Sequence, residues 1–194
     1  GGVAHPTSGR AASVADAIAM HAGGLQVSML NDYHRDPGWA AAVAASIRAH
    51  WETNGRGERL LLSFHGIPQR LVDGGDPYAA HCEASTRAIA EALGIARDEI
   101  LLTFQSRFGR ERWLQPYTQA TLEALARDGV RTVDVACPGF AVDCLETLEE
   151  ITVENAVAFR EAGGESLRYI PCLNAGDAHA AALAALARQD QGWG

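Results

Sequence analysis

A histidine at the end of an apolar run is the first candidate for chemistry in this sequence. His65 follows the run Arg59-Leu60-Leu61-Leu62-Ser63-Phe64, and Gly66 and Pro68 force the chain to turn directly after it. Because an imidazole has an ordinary pKa of about 6.5, it can act as a base or as a metal ligand near neutral pH. A histidine that only caps a strand end by hydrogen bonding would show the same pattern, so both roles stay open.

A second candidate segment runs from Phe104 to Pro116 and combines arginines with aromatic residues. The guanidinium of Arg107 can pair with a carboxylate, and Trp113 offers a flat face to a flat ligand. The alternative is an ordinary surface loop with Trp113 tucked into the core, which is the more frequent fate of such a residue.

A third candidate segment carries a row of acids. Asp143 and Glu146 have the spacing of a capping box, which explains both without any chemistry. Glu146, Glu150 and Glu154 are four residues apart, so an α-helix would stack them on one face, where like charges cost a few tenths of a kcal/mol per pair. A solvated acidic face is the ordinary interpretation, and a carboxylate row that handles cations or protons is the functional one.

The elements that must position these residues alternate along the chain. Short apolar runs predict strands and amphipathic runs predict helices. The predicted strands cover 25–30, 59–64, 100–104, 132–136 and 167–170, and the predicted helices cover 11–22, a segment opening at Asp36, 77–93, 117–127, 143–162 and 177–188. This order predicts an α/β fold, a parallel sheet with helices on both faces. Ligands of such sheets bind beyond the carboxyl ends of the strands, where all three segments lie.

Composition excludes several classes of function. The chain has 194 residues and a formal net charge of -8, which argues against non-specific nucleic-acid binding. It has no run of eighteen apolar residues and no signal peptide, so we expect a cytoplasmic protein, with peripheral membrane contact left open. None of the four cysteines forms a Cys-x-x-Cys pair, and we expect reduced thiols rather than a zinc site.

Taken together, the three segments resemble the conserved blocks of ferrochelatases of the proteobacterial type. The matching blocks are Ser-Phe-His-Gly-Ile-Pro, Phe-Gln-Ser-Arg-Phe-Gly-Arg followed by Trp-Leu-Gln-Pro, and Pro-Gly-Phe followed by Asp-Cys-Leu-Glu-Thr-Leu-Glu-Glu-Ile. Asp32-Tyr33-His34 and Gly75-Asp76-Pro77-Tyr78 match as well, and the resemblance runs from about Ser13 to Arg188. One departure is Arg112, where family members commonly have proline before the tryptophan.

The resemblance implies a chelatase-like fold of two Rossmann-like domains with a porphyrin between them. It places His65 and Glu146 opposite each other across the porphyrin as catalytic and metal-binding residues. Glu150 continues the metal-binding set and Glu154 extends it as a relay. The residues expected to bind the porphyrin are Phe140, Trp113, Ser63 and Arg107.

The same resemblance predicts how the chain is organised. Residues 1–24 would be a remnant of the N-terminal domain with its connecting helix, 25–188 the C-terminal ferrochelatase domain, and 189–194 a frayed tail. The N-terminal domain, which supplies the other wall of the pocket, would be a partner that this chain lacks. We therefore expect the chain to be inactive alone, and its oligomeric state stays open.

The predicted reaction is insertion of Fe²⁺ into protoporphyrin IX, with Zn²⁺ or Co²⁺ as surrogate metals and no iron–sulfur cluster. His65 is either the base or the metal ligand, and Glu146 is the last metal ligand or the next proton acceptor. Crowding by Glu150 is expected to raise the pKa of this cluster. The alternatives are a non-catalytic half-domain that binds a metal or a partner, and a cobalt or nickel chelatase of the same fold.

Overall fold

A parallel sheet forms the centre of the computed structural model, which describes residues 17, 20, 30 and 32–189. Four strands are present in this part of the chain, in the order β2-β1-β3-β4. The strands are β1 (Arg59–His65), β2 (Ile100–Gln105), β3 (Thr132–Ala136) and β4 (Ser166–Ile170). The helices are α1 (Pro37–Asn54), α2 (Gln69–Asp73), α3 (Tyr78–Leu93), α4 (Thr118–Arg127), α5 (Leu145–Leu148), α6 (Ala156–Glu161) and α7 (Asp177–Ala187), with a 3₁₀ turn at Arg97–Glu99 and a π-helix at Glu150–Asn155.

The register of the sheet brings the carboxyl ends of the strands to one edge. Strand β1 pairs with β2 so that His65 lies opposite Gln105, and it pairs with β3 so that Leu62 lies opposite Ala136. Strand β4 pairs in parallel with β3. The predicted parallel α/β fold is thus confirmed.

Helices cover both faces of the sheet because alternate residues of each strand point to opposite sides. Leu60, Leu62 and Phe64 pack in one core with α1 and α3. Leu61 packs in the other core with Leu122 of α4 and with residues of the π-helix and α6. The two apolar cores hold β1 rigidly, and this fixes the direction of the turn that follows His65.

The first helix of this layer begins as the sequence predicts. Asp36 is its N-cap and accepts a hydrogen bond from the backbone N–H of Trp39 at 2.7 Å, with Pro37 in the first turn. Trp39, Val43 and Ile47 are buried along one stripe. The predicted helices that end at Gly94 and Asp128-Gly129 also form, and both glycines have positive φ.

Two predicted elements lie outside the described residues almost entirely. They are the helix at 11–22, of which only 17 and 20 are described, and the strand at 25–30, of which only 30 is described. Within the described part of the chain, no helix is long and apolar enough to cross a membrane.

The predicted single helix over 143–162 is wrong. The chain forms α5, then the π-helix, then α6, and the N–H of Glu154 donates to the carbonyl of Glu149, five residues back, at 3.0 Å. The π-turn carries more residues than an α-turn, so the acids do not stack as an ideal α-helix would place them.

The predicted capping box of Asp143 and Glu146 is wrong as well. The N-cap of α5 is Cys144, whose backbone N–H donates to the hydroxyl of Thr147 at 2.9 Å. The Asp143 carboxylate faces β4 instead and accepts hydrogen bonds from the Tyr169 hydroxyl at 2.6 Å and from the side-chain amide of Asn174 at 2.8 Å. Asp143 therefore anchors the start of this segment to β4 and the loop after it.

Candidate functional site

Residues that the sequence analysis assigned to the site lie at the carboxyl edge of the sheet. His65 ends β1, Gln105 ends β2, and Phe140 follows β3. The rings of His65 and Phe140 lie 6.2 Å apart between centroids, at 50° to each other. The expected neighbourhood of a histidine and an aromatic side chain at this edge thus exists.

The hydrogen bonds of His65 decide which of its ring nitrogens is available. Nδ1 lies 2.7 Å from the carbonyl oxygen of Gly66, and because a carbonyl can only accept, Nδ1 carries the proton. In the neutral ring Nε2 then has the free lone pair, which is the form that accepts a proton or binds a metal. The backbone is held too, since the Tyr78 hydroxyl donates to the His65 carbonyl at 2.7 Å. A hydrogen bond at the strand end is therefore present and leaves Nε2 for chemistry.

Gly66 lets Trp113 lie against the turn after His65. A Cβ atom at position 66 would stand 2.9 Å from the carbonyl oxygen of Gln105 and 3.3 Å from Cε3 of Trp113. The half-buried indole of Trp113 donates its N–H to the carbonyl of Phe108 at 2.8 Å. The rings of Phe108 and Trp113 meet edge to face. Trp113 is thus beside the histidine turn, and the prediction that it lines a pocket with Phe140 stays a prediction.

Gln105 connects the strand ends to the segment at 143–154 that carries the predicted row of acids, called the acidic segment below. Its side-chain oxygen accepts from the Ser63 hydroxyl at 2.7 Å and from the Cys137 thiol at 3.4 Å. Its side-chain nitrogen donates to the carbonyl of Glu146 at 2.6 Å and to the Glu150 carboxylate at 3.3 Å. The amide therefore fixes the start of the acidic segment relative to β1, β2 and β3.

Ser106 holds Glu150 with an uncommon backbone conformation. Its φ of 62° lies in the left-handed region, which disfavours a residue with a Cβ atom. In that conformation its N–H donates to one carboxylate oxygen of Glu150 at 2.7 Å, and its hydroxyl donates to the other. Glu150 is thus committed to hydrogen bonds with β2, and its expected role as a metal ligand competes with them.

The pKa of Glu146 lies below its ordinary value, contrary to the expected increase. The first cause is a hydrogen bond from its own backbone N–H, followed by one from the Cys144 thiol, and the charge of nearby His65 lowers the pKa further. The carboxyl is therefore ionised at neutral pH. Crowding by Glu150 does not dominate because that side chain is turned toward Ser106.

An open cleft of about 690 Å³ lies between α4 and the acidic segment. Arg107 stands at this cleft with its guanidinium 4.8 Å above the ring of Tyr117. The acidic residues that line it are Glu123, Glu146, Glu149, Glu150 and Glu154. Despite the π-helix, the three predicted acids share one cavity, and Glu149 and Glu123 join them.

Ser63 does not reach the surface. It is fully buried, and its hydroxyl is bonded to Gln105 and lies 2.8 Å from the hydroxyl of Thr118. The structure therefore gives it a place behind the site, where it orients Gln105.

Four residues around the site were given no site role in the sequence analysis, namely Gln105, Ser106, Tyr78 and Tyr117, although the first three lie in the matching blocks. Gln105 and Ser106 directly end the second strand, so the rule that ligands bind beyond strand ends could have found them. No pattern in the sequence indicates that Tyr78 bonds the His65 carbonyl, since this contact depends on how α3 packs.

Comparison with known proteins supplies the family context of this site. The family model described as Ferrochelatase matches residues 5–191. The chain is 62% identical to a ferrochelatase of Stenotrophomonas maltophilia (strain R551-3) over 164 residues, which cover 84% of this chain and 51% of that protein. It is 56% identical over 176 residues to a ferrochelatase of Xanthomonas axonopodis pv. citri (strain 306), covering 91% of this chain and 55% of that protein. It is 53% identical over 161 residues to a ferrochelatase of Vibrio parahaemolyticus serotype O3:K6 (strain RIMD 2210633), covering 83% of this chain and 50% of that protein. The chain thus spans about half the length of the curated relatives it matches.

Proposed function

The chain belongs to the ferrochelatase family, and from this membership we propose that it takes part in the insertion of Fe²⁺ into protoporphyrin IX to form haem. The family is that of an enzyme, a lyase that inserts a metal into a porphyrin. The whole reaction, its substrates and its partners are proposed here because the matched relatives are about twice as long as the matched segment.

The observation that carries the proposal is the state of His65. Its Nδ1–H donates to the Gly66 carbonyl, so in the neutral ring Nε2 carries the lone pair, and the ring centroid lies 6.2 Å from that of Phe140. A metal can enter a porphyrin only after two pyrrole N–H protons leave. We assign the removal of a pyrrole proton to His65 Nε2, because imidazole is the side chain that most often serves as a general base.

Glu146 is proposed as the ionised partner of His65. Its pKa is lowered by hydrogen bonds from its own N–H and from Cys144, and by the charge of His65. An anion at this place favours the imidazolium that forms when His65 accepts a proton, and it also attracts Fe²⁺. Imidazole and carboxylate ligands suit Fe²⁺, Co²⁺ and Zn²⁺ alike, so surrogate metals should bind here too.

The remaining site residues are proposed to hold the porphyrin or to support those that do. Phe140 and Trp113 offer apolar faces to the ring, and Arg107 offers a cation to a propionate. Ser63 is proposed as a supporting residue because it is buried behind Gln105. Glu150 and Glu154, at the open cleft, would pass cations or protons between solvent and Glu146.

The organisation of the full enzyme is proposed from the resemblance. Residues 25–188 form the C-terminal ferrochelatase domain, and 1–24 belong to the connection with an N-terminal domain. The tail predicted at 189–194 lies, except for residue 189, outside the described residues. That N-terminal domain supplies the facing wall of the pocket. A cytoplasmic location, with or without peripheral contact with a membrane, is part of the same proposal.

A chimera tests the proposed function directly. The chain is fused behind the N-terminal half of the Stenotrophomonas maltophilia relative, and metallation is followed as the change in porphyrin absorbance with Fe²⁺ under anaerobic conditions. The chimera should turn over, and His65→Ala should abolish turnover without changing the fold. His50→Gln, at another half-buried histidine, is the matched control and should remain active. Near-normal turnover of the His65→Ala chimera would remove His65 from the mechanism. A preference for Co²⁺ or Ni²⁺ over Fe²⁺ would favour a different chelatase.

A further inference from the structure

Three metal-binding side chains meet in a place that the porphyrin reaction does not use. Asp32, His34 and His81 each present a ligand atom, and these atoms all lie within 4.8 Å of one another. We propose that they form a second metal site, which binds a divalent transition-metal ion of the zinc, cobalt or ferrous class. Its occupancy does not depend on porphyrin metallation.

His34 is the fixed member of this site. It is buried, and its carbonyl accepts a hydrogen bond from the hydroxyl of Ser85 on α3 at 3.1 Å. Its ring stacks on that of His81, also on α3, with centroids 3.8 Å apart and planes at 10°. A loop residue and a helix residue are therefore brought together as an imidazole pair.

Asp32 completes the ligand set. Its Oδ1 lies 2.5 Å from Nδ1 of His34, and its side chain is about one third exposed at 35%. Around a tetrahedral Zn²⁺ at the usual bond length of about 2.0–2.1 Å, ligand atoms stand about 3.3 Å apart. Binding one ion therefore requires the Asp32 carboxylate to draw back from the His34 nitrogen, now 2.5 Å away, and the His81 ring to turn out of its stack on His34.

The ligand types decide which ions fit. Two imidazoles and one carboxylate suit borderline ions such as Zn²⁺, Co²⁺ and Fe²⁺. Mg²⁺ and Ca²⁺ prefer sites made of oxygen atoms, so they should bind poorly. A bound ion would tie the segment at 32–34 to α3, the helix whose Tyr78 hydroxyl donates to the His65 carbonyl.

Metal binding is measured in a background that lacks His65 and Glu146, the two side chains proposed to bind the substrate metal directly. The 194-residue chain carrying His65→Ala and Glu146→Gln is titrated with Zn²⁺ by equilibrium dialysis, with Mg²⁺ as the ion control. One equivalent of Zn²⁺ should bind. Adding His81→Gln should weaken that binding by at least about ten-fold, the lower range seen when the ligand environment of a metal is damaged. His50 lies 3.7 Å from the carboxylate of Asp134 and belongs to no such group of three among the residues that the structure describes, so His50→Gln should leave the affinity unchanged.

Two further measurements secure the result against a folding defect. Circular dichroism of each variant reports whether the fold is kept, and Asp32→Asn replaces His81→Gln if that variant unfolds. Zinc-edge X-ray absorption of the background variant should show two imidazole ligands with oxygen. Any of three results would overturn the second site. They are no bound Zn²⁺ in the background variant, the same Zn²⁺ affinity with and without the substitution of His81 or Asp32, and a zinc coordination shell without imidazole.

Discussion

Individual side chains at the carboxyl edge of the sheet have separable roles, and Glu146 is the sharpest case. Glu146 lies in the first turn of α5, whose N-cap is Cys144 with Thr147. Its carboxylate accepts a hydrogen bond from its own backbone N–H, and a glutamine side-chain oxygen at this position can accept the same bond. Glu146→Gln in the active chimera should lower turnover by about 10²-fold or more, the range of a lost acid–base group, and change stability by less than about 0.5 kcal/mol. Turnover and thermal melting are the measurements. Glu149→Gln, at a neighbouring acid of the same cleft, should stay active. A stability loss with activity preserved would reject a catalytic Glu146.

Ser106 offers a residue-scale test of strain against hydrogen bonding. Its φ of 62° costs a residue with a Cβ atom about 1–2 kcal/mol, and glycine avoids that cost. Ser106→Gly and Ser106→Ala both lose the hydroxyl that bonds Glu150 and keep the backbone N–H, so they differ mainly in strain. Urea denaturation should show the glycine variant to be more stable than the alanine variant by about 1 kcal/mol. Equal stabilities would mean that any strain at this position is no larger than the extra backbone entropy that glycine loses on folding.

At the scale of elements, Asp143 joins the start of the acidic segment to β4. Burial alone would raise its pKa, but hydrogen bonds from Tyr169, Asn174 and the Cys172 backbone N–H outweigh burial, and the pKa lies below its ordinary value of 3.8. Asp143→Asn should therefore cost roughly 1.5–3 kcal/mol of unfolding free energy at pH 7, the usual range for hydrogen bonds to a charged group.

The pH dependence of that loss follows from the direction of the shift. A carboxyl whose pKa is lower in the folded chain stabilises the fold fully above its unfolded pKa and loses this contribution as pH falls through the folded pKa. The difference between Asp143→Asn and the unaltered chain should thus stay constant from pH 7 to about 4 and shrink below pH 4. Denaturation at a series of pH values measures it, and a difference that is unchanged at pH 3 would contradict the ionised anchor.

The same elements show how far the sequence alone leads. Buried apolar runs such as Leu60-Leu61-Leu62 predict strands because little else buries such a run between turns, and the residues after them are found by the strand-end rule. The π-helix is not predictable this way, since the spacing of Glu146, Glu150 and Glu154 fits an ordinary α-helix equally well. The extra residue of the π-turn depends on contacts with other elements, such as the hydrogen bond from the Ser106 N–H to the Glu150 carboxylate.

Side-chain networks across strands were out of reach for a related reason. Gln105 joins Ser63, Cys137 and Glu146, which are 42, 32 and 41 positions away along the chain. These partners meet only because β1, β2 and β3 take one register, and a single sequence contains no signal for register. The placement of the candidate histidine and acids near the carboxyl ends of the strands was therefore predictable, and the side-chain contacts that orient them were not.

For the molecule as a whole, the surface around the site supports the proposal that the chain works against a facing domain. Phe108, Leu145, Leu148 and Val142 are 68%, 69%, 50% and 44% exposed, and they flank Trp113, Glu146 and Phe140 in the chain. Exposed apolar residues grouped beside a site mark surfaces that are covered in a complex. The proposed N-terminal domain, with the porphyrin between, is the cover that the family suggests.

The last prediction concerns the 194-residue chain assayed alone. It contributes one wall of the site, and a porphyrin on one wall keeps its other face in water, where little binding energy is available to favour the transition state. We expect the chain to fold, to bind Zn²⁺ and to self-associate through its exposed apolar rim, which consists of Phe108, Val142, Leu145 and Leu148. We expect that it does not metallate porphyrin, whereas the chimera does. Zinc-dependent porphyrin absorbance and sedimentation at several concentrations are the measurements. Phe108→Ser with Leu145→Ser should reduce self-association, and Leu183→Ser, at a residue of α7 that is 42% exposed, should not. Multiple turnovers by the chain alone would contradict this prediction and would have two explanations: a second copy supplies the facing wall, or one wall suffices. The activity of the Phe108→Ser, Leu145→Ser variant separates them. If a second copy supplies the wall, the variant loses activity together with self-association; if one wall suffices, it stays active.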